Sequence, residues 1–148
     1  KVISLKSMMQ FYREVVIDSL IWIGSKSDKD QYREKSVGII EAFLEGKIGK
    51  IYVTDYIILE TVNFLLRKEG FDKARKAFNM FLQTEKIEIV YVDDLMLQDI
   101  KRLFEKYKEL SIADCSLICM MKEKQIKYLF SFDAGFDKIK EIIRKDSI

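Results

Sequence analysis

Along this chain, short runs of β-branched and aromatic residues alternate with longer stretches in which apolar positions return every three or four residues. Compact apolar runs mark strands, and the longer period marks helices with one buried face. Four strands are predicted: Glu14 to Asp18, Lys50 to Thr54, Ile87 to Val92 and Lys127 to Ser131. Between them Val37, Ile40 and Leu44 share a helical face, as do Phe71, Ala74, Phe78 and Phe81, and likewise Leu97, Ile100, Phe104 and Tyr107. These stripes are expected to pack on the sheet. A helix from Asp55 to Glu69 should end at Gly70, and Gly46 and Gly49 should bracket the turn before the second strand. The segment Ile112 to Met121 is apolar nearly all round, which predicts a helix lying deep against the sheet. This alternation predicts an α/β fold: three layers, α/β/α, around a central parallel sheet of four to five strands. Residues 1–13 open without Met and show no clear period, so they are expected to be an extension to one domain spanning 14–148.

Acids interrupt the apolar runs. Asp18 ends Val15-Val16-Ile17, Glu60 lies within Tyr56-Ile57-Ile58-Leu59 and Val62, Asp114 opens the run from Cys115, and Asp133 follows Tyr128-Leu129-Phe130. A carboxylate withdrawn from water neutralises, pairs or binds a metal. In an open parallel sheet, right-handed crossovers put strand ends of one sense on one edge, where ligands bind. Asp18 and Asp133 fall on that edge, Asp114 points there from a helix start, and Glu60 must reach it from within a helix. A four-carboxylate pocket would suit Mg2+ or Mn2+, hard cations that prefer oxygen ligands.

Helix capping accounts for part of the same pattern. Asp18, Asp55 and Asp133 stand where strands hand over to helices, and Ser111 with Asp114 resembles a capping pair. Glu60 has no such explanation, because its apolar neighbours place it in a helix interior with no solvated stripe. Asp137, one turn beyond Asp133, reads as an exposed acid in a first helical turn.

Composition narrows the chemistry. With 148 residues, 49% hydrophobic and 34% charged, the chain has enough material for one core and a solvated surface. It contains no histidine, which removes the commonest general base, and Cys115 and Cys119 on an apolar stretch read as buried free thiols. No secretory signal pattern or membrane-length apolar run is present, so a cytoplasmic protein without membrane contact is expected. A net charge of +2 decides nothing about partners. If RNA binds, lysines and arginines should border the acids. Lys26, Lys29, Arg33, Lys138 and Lys140 are the candidates, with Trp22 and Tyr32 as possible stacking residues; solvated faces and core packing are the simpler reading of all seven.

In order and local wording the four acids resemble PIN domain nucleases, especially the toxin ribonucleases of VapBC-type toxin–antitoxin pairs. The matching stretches are Val15-Val16-Ile17-Asp18-Ser19, Thr54-Asp55-Tyr56-Ile57-Ile58-Leu59-Glu60, Leu110-Ser111-Ile112-Ala113-Asp114 and Ser131-Phe132-Asp133-Ala134-Gly135-Phe136. Together they span roughly Glu14 to Ile142. The resemblance implies a metal-dependent endoribonuclease hydrolysing RNA phosphodiester bonds, the toxin of a toxin–antitoxin pair. It implies Asp18, Glu60, Asp114 and Asp133 as metal ligands, with Asp133 completing a second position or holding water, and Ser19, Ser111 and Ser131 as supporting hydroxyls. Its implied cofactor is Mg2+ or Mn2+, and its implied partners are an RNA substrate, a small antitoxin protein and a second copy in a homodimer. Two alternatives stay open: an RNA-processing or RNA-decay nuclease without an antitoxin, and an inactive binding or scaffold module. Leu20 departs from the polar residue many relatives carry there, and the family's last edge strand is not legible after Ile143.

Overall fold

The computed structural model describes residues 11–148. Five strands, all parallel, form one sheet: β1 (Tyr12–Ile17), β2 (Ile48–Thr54), β3 (Ile87–Val90), β4 (Tyr128–Phe130) and β5 (Ile143–Lys145). Six α-helices connect them: α1 (Ser19–Lys26), α2 (Arg33–Leu44), α3 (Asp55–Glu69), α4 (Phe71–Gln83), α5 (Asp94–Lys106) and α6 (Ile112–Lys124). A 3-10 turn, Ala134–Lys138, precedes β5. Of the expected extension, residues 1–10 lie outside the described residues, and Tyr12 and Arg13 already belong to β1.

The strand order is β3-β2-β1-β4-β5. The chain steps outward from β1 to β2 to β3, then returns past its start to place β4 on the other side of β1. Right-handed crossovers therefore put α1 to α4 on one face and α5 with α6 on the other, the three-layer arrangement expected from the alternation. The reversal falls between β1 and β4, where Ile17 is in register with Phe130. Helices connecting neighbouring strands diverge there and leave a crevice at the carboxyl ends.

The core is continuous through the sheet: Val15, Val16, Ile17, Ile51, Val53, Leu129 and Phe130 are fully buried. Helix α6 buries Cys115 to Met121 without a break, as its all-round apolarity predicts, and both cysteines are free. The outer helices depart from the expected stripes. Helix α2 buries Ser36, Ile39 and Ala42, while Leu44 is 76% exposed. Part of the reason is close packing on α1, where a Cβ at Gly24 would lie 2.4 Å from Ser36 Oγ, so the contact at Ser36 admits only a small residue. Helix α4 likewise turns Ala74, Ala77 and Phe81 inward and leaves Phe71 and Phe78 exposed. Helix α5 buries Met96 and Ile100, leaving Leu97 and Phe104 outside.

Two further corrections concern the strands. Gly49 lies inside β2 rather than in a turn, and a Cβ there would meet the Arg13 carbonyl oxygen at 2.7 Å. The turn belongs to Gly46 alone, at φ 84°. The edge strand illegible after Ile143 exists as β5, paired with β4 from Tyr128↔Ile143 to Phe130↔Lys145. Its register, not its apolarity, makes it a strand, since Ile143 is exposed. Among the described residues no helix is long and apolar enough to cross a membrane.

Candidate metal centre

The crevice at the β1/β4 reversal is lined by Asp18, Glu60, Asp114 and Asp133, with Ser19, Ser111, Leu20, Ile23, Phe64 and Arg67 around them; its volume is about 360 Å³. Each acid arrives on a different element, and in three cases a capping interaction fixes it. Asp18 caps α1, with Oδ1 accepting from the Ser19 amide at 2.8 Å. Asp133 caps the 3-10 turn, with Oδ1 accepting from the Gly135 amide at 2.8 Å. Asp114 closes a reciprocal capping box: its amide donates to Ser111 Oγ at 3.0 Å, and its Oδ2 accepts from the Ser111 amide at 2.9 Å. Capping and convergence are thus one device. The first turn of each helix needs an acceptor, and the fold uses that need to hold carboxylates at the switch point.

Glu60 corrects the sequence expectation of burial. It is exposed, next to Leu59 at 55% exposure, because the buried face of α3 runs through Ile57, Ile58, Thr61 and Leu65. Its side chain rises from the open side of α3 toward the crevice.

Ser131 ties the centre together. Its hydroxyl donates to Asp18 Oδ2 at 2.8 Å and accepts from the Asp133 amide at 3.0 Å, linking the ends of β1 and β4. Behind it, Arg144 on β5 donates through Nη1 to the Ser131 carbonyl at 3.1 Å and grips Asp137 through Nε at 2.8 Å and Nη2 at 3.1 Å. Asp137 is therefore committed to Arg144 and is not one of the residues lining the crevice. A second tie joins Thr54 Oγ1 to Ser116 Oγ at 2.8 Å. Thr54 also caps α3 and Ser116 sits in the first turns of α6, so this pair fixes the helix bearing Glu60 against the helix bearing Asp114. Asp55 is occupied elsewhere, accepting from the Val92 amide at 3.0 Å.

Asp18 is only 2% exposed. Burial first, then the neighbouring Asp114 charge, raises its pKa to about 7, against the opposing hydrogen bonds from Ser131 and the Ser19 amide. Asp114 is also raised, chiefly by burial, with the charges of Glu60 and Asp133 adding to it. Among the described residues no lysine or arginine forms an ion pair with Asp18, Glu60, Asp114 or Asp133, although the chain makes such pairs elsewhere. As the side chains stand, no three acids are drawn close enough to share one ion among the described residues.

None of the basic and aromatic residues singled out for RNA contact lines the crevice. Arg33 pairs with Asp28 and Lys138 with Glu109. Trp22 is core, edge-on to Phe81 and donating to the Ile17 carbonyl. Tyr32 stacks on Phe132 with centroids 4.3 Å apart. Residues the sequence did not mark as functional are Thr54, Ser116, Arg144, Phe64 and Arg67. The last two follow Glu60 at i+4 and i+7, and that helical spacing is the signal by which they share its face.

A parallel α/β sheet with capped, unpaired carboxylates at its switch point defines a strand-end carboxylate protein. The chain belongs to the PIN domain family, whose model matches residues 15–142. It is similar to a protein named VapC ribonuclease from Archaeoglobus fulgidus, 31% identical over 124 residues, covering 82% of this chain and 78% of that protein. Its fold is similar to Mycobacterium tuberculosis VapC20, described as a toxin cleaving the sarcin-ricin loop. The TM-score is 0.75 at 17% identity, over 85% of this chain and 95% of that one. A toxin–antitoxin complex from Klebsiella pneumoniae contains a chain with TM-score 0.65 at 14% identity, covering 90% and 99% respectively. At those identities the structural likeness shows the fold.

Proposed function

We propose that this protein is a Mg2+- or Mn2+-dependent endoribonuclease acting as the toxin of a toxin–antitoxin pair, with Asp18, Glu60, Asp114 and Asp133 as its metal ligands. The observation that carries the proposal is the set of four carboxylates at the β1/β4 switch point with no cation paired to any of them among the described residues. The similarity to a protein named a VapC ribonuclease supplies the activity class.

The donor set fits a hard divalent ion. Every ligand atom is a carboxylate oxygen, and Asp114 Oδ1, Asp133 Oδ2 and the Glu60 carboxylate accept none of the hydrogen bonds that fix Asp18, Asp114 and Asp133. When bound, such an ion activates water and stabilises charge on phosphate oxygen. The chain's own residues orient the rest. Ser131 and the Ser19 amide hold Asp18 in one rotamer, the Ser111 capping box turns Asp114 into the crevice, and Gly135 fixes Asp133. Glu60, on the exposed side of α3, has the freedom to swing onto the ion. Ser19 thus supports through its backbone, Ser111 through both backbone and hydroxyl, and Ser131 through its hydroxyl.

Exposed Leu59 and Leu66 on α3, with Phe71, Phe78 and Leu82 on α4, form apolar surface that supports protein partners. We assign to such partners an antitoxin and a second copy of the chain. A cell-based comparison tests the function without knowing the RNA: expression of wild type or Asp114→Asn, followed by mapping of new 5′ ends across all transcripts. Wild type is expected to create new ends and arrest growth while the variant does neither. Identical maps would leave a binding module whose three crevice aspartates serve only as caps.

A further inference from the structure

Arg67 is the cation that lines the crevice together with the four acids, yet it forms no ion pair with them among the described residues. It lies instead over the Phe64 ring, its Cζ 6.0 Å from the centroid. Glu60, Phe64 and Arg67 follow one another at i, i+4 and i+7, so they form one stripe along α3, about 10 Å long by helix rise. The stripe runs from carboxylate through aromatic ring to guanidinium. Exposed Leu20 and buried Ile23 line the same crevice from α1, the helix packed against α3. The crevice therefore has three zones in series: an acidic floor, an apolar waist and a cationic end.

Those zones match the repeating chemistry of a single polynucleotide strand. A phosphate at the acidic floor leaves the adjoining base against Phe64 and Leu20, and the neighbouring phosphate at Arg67. We propose that Phe64 and Arg67 form a nucleotide subsite beside the scissile phosphate, with Phe64 packing a base and Arg67 binding the next phosphate of single-stranded RNA. This rests on the nuclease reading above and names the part of that site which grips the strand. The planar guanidinium suits two-point contact with phosphate oxygens, and stacking on Phe64 holds it ready without a carboxylate partner. A duplex would bury its bases away from Phe64, so the subsite selects unpaired RNA.

A last-turn arginine also complements the carboxyl end of a helix dipole, and Lys68 beside it has that same role. Lys68 does not line the crevice, which makes it the control. The experiment measures two affinities for wild type, Arg67→Gln, Lys68→Gln and Phe64→Leu. One is Mn2+ by calorimetry; the other is a fluorescent single-stranded oligouridylate in Mn2+ by anisotropy at several salt concentrations, with strand integrity checked at each point.

Arg67→Gln is expected to keep Mn2+ affinity, lose roughly tenfold in RNA affinity, and flatten the slope of log affinity against log salt by about 0.7, the share of one phosphate contact. Phe64→Leu should weaken RNA severalfold without changing that slope. Lys68→Gln should change neither. Wild-type RNA affinity and salt slope in Arg67→Gln, or an equal loss in Lys68→Gln, would overturn the subsite while leaving the metal centre intact. Failure of wild type to bind either Mn2+ or RNA would overturn the nuclease reading, and the subsite with it.

Discussion

Ser131 donates its hydroxyl to Asp18 Oδ2 at 2.8 Å, joining residues 113 positions apart at the ends of the two strands that flank the switch point. The bond holds a buried carboxylate that burial pushes toward neutrality, and Ser131 Oγ also accepts from the Asp133 amide. Ser131→Ala removes both contacts and leaves Asp18 more weakly solvated. It should cost about 1–3 kcal/mol in urea unfolding and raise the pH at which Mn2+ binding reaches half its plateau. Unchanged stability and an unchanged pH midpoint would mean the hydroxyl is incidental.

Stability without metal should fall as pH rises. Asp18 has its pKa raised in the fold from 3.8 to about 7, so the folded state holds its proton more tightly than the unfolded chain does. Its favourable contribution is complete below the unfolded value and is lost as pH climbs through the folded one. The loss spans the interval between those values and is on the order of 4 kcal/mol at most. Asp114, raised in the same direction, adds to it. Thermal unfolding in chelator from pH 4 to pH 8 checks this. Asp18→Asn should melt higher than wild type at the alkaline end, because the neutral amide keeps the shape and removes the charge.

Arg144 and Asp137 give a graded pair of substitutions. Asp137→Asn breaks an exposed ion pair and should move the urea midpoint only slightly. Arg144→Ala also loses the bond to the Ser131 carbonyl, so its urea midpoint should fall further. It should loosen the segment bearing Asp133 and weaken Mn2+ binding, whereas Asp137→Asn should leave Mn2+ affinity nearly unchanged. Equal metal affinity in the two variants would remove Arg144 from the support of the centre.

The Thr54 and Ser116 hydroxyls meet at 2.8 Å in the core, between the helices carrying Glu60 and Asp114. Thr54→Val leaves Ser116 with only the Ala113 carbonyl and removes the α3 cap, for a cost of about 1–3 kcal/mol. Adding Ser116→Ala should cost less than the sum of the single changes, since the bond between the two hydroxyls is already lost with either one. A urea-based double-mutant cycle reads the difference, and strict additivity would contradict the pairing.

Much of this was legible in the residues, for identifiable reasons. The parallel sheet and the α3 span, Asp55 to Glu69, followed from period and from Gly70, because backbone geometry and apolar spacing act locally. The Ser111–Asp114 capping box was visible for the same reason. The outer stripes were not. Leu44 and Phe78 carry the right spacing, but close approach of Gly24 to Ser36, and of Leu65 to Ala74 and Ala77, turned a neighbouring face inward instead. Glu60 looked buried because its neighbours are apolar, yet Leu59 beside it is exposed, and exposed apolar residues are common on folded surfaces. β5 stayed hidden because its strand identity comes from pairing with β4 and from the Arg144 contacts, both long-range facts. Order of the acids along the chain pointed to one centre, while the hydroxyl and guanidinium that support it emerge only from folding.

The central claim is that the carboxylates at the β1/β4 reversal bind a divalent ion. Calorimetric titration of Mn2+ into wild type, Asp18→Asn and Asp137→Asn tests it most directly, since Asp137 is an acid of the same region already committed to Arg144. Saturable binding by wild type and Asp137→Asn, with none by Asp18→Asn, is the predicted result. Equal binding by all three, or no binding by wild type at millimolar metal, would contradict the account.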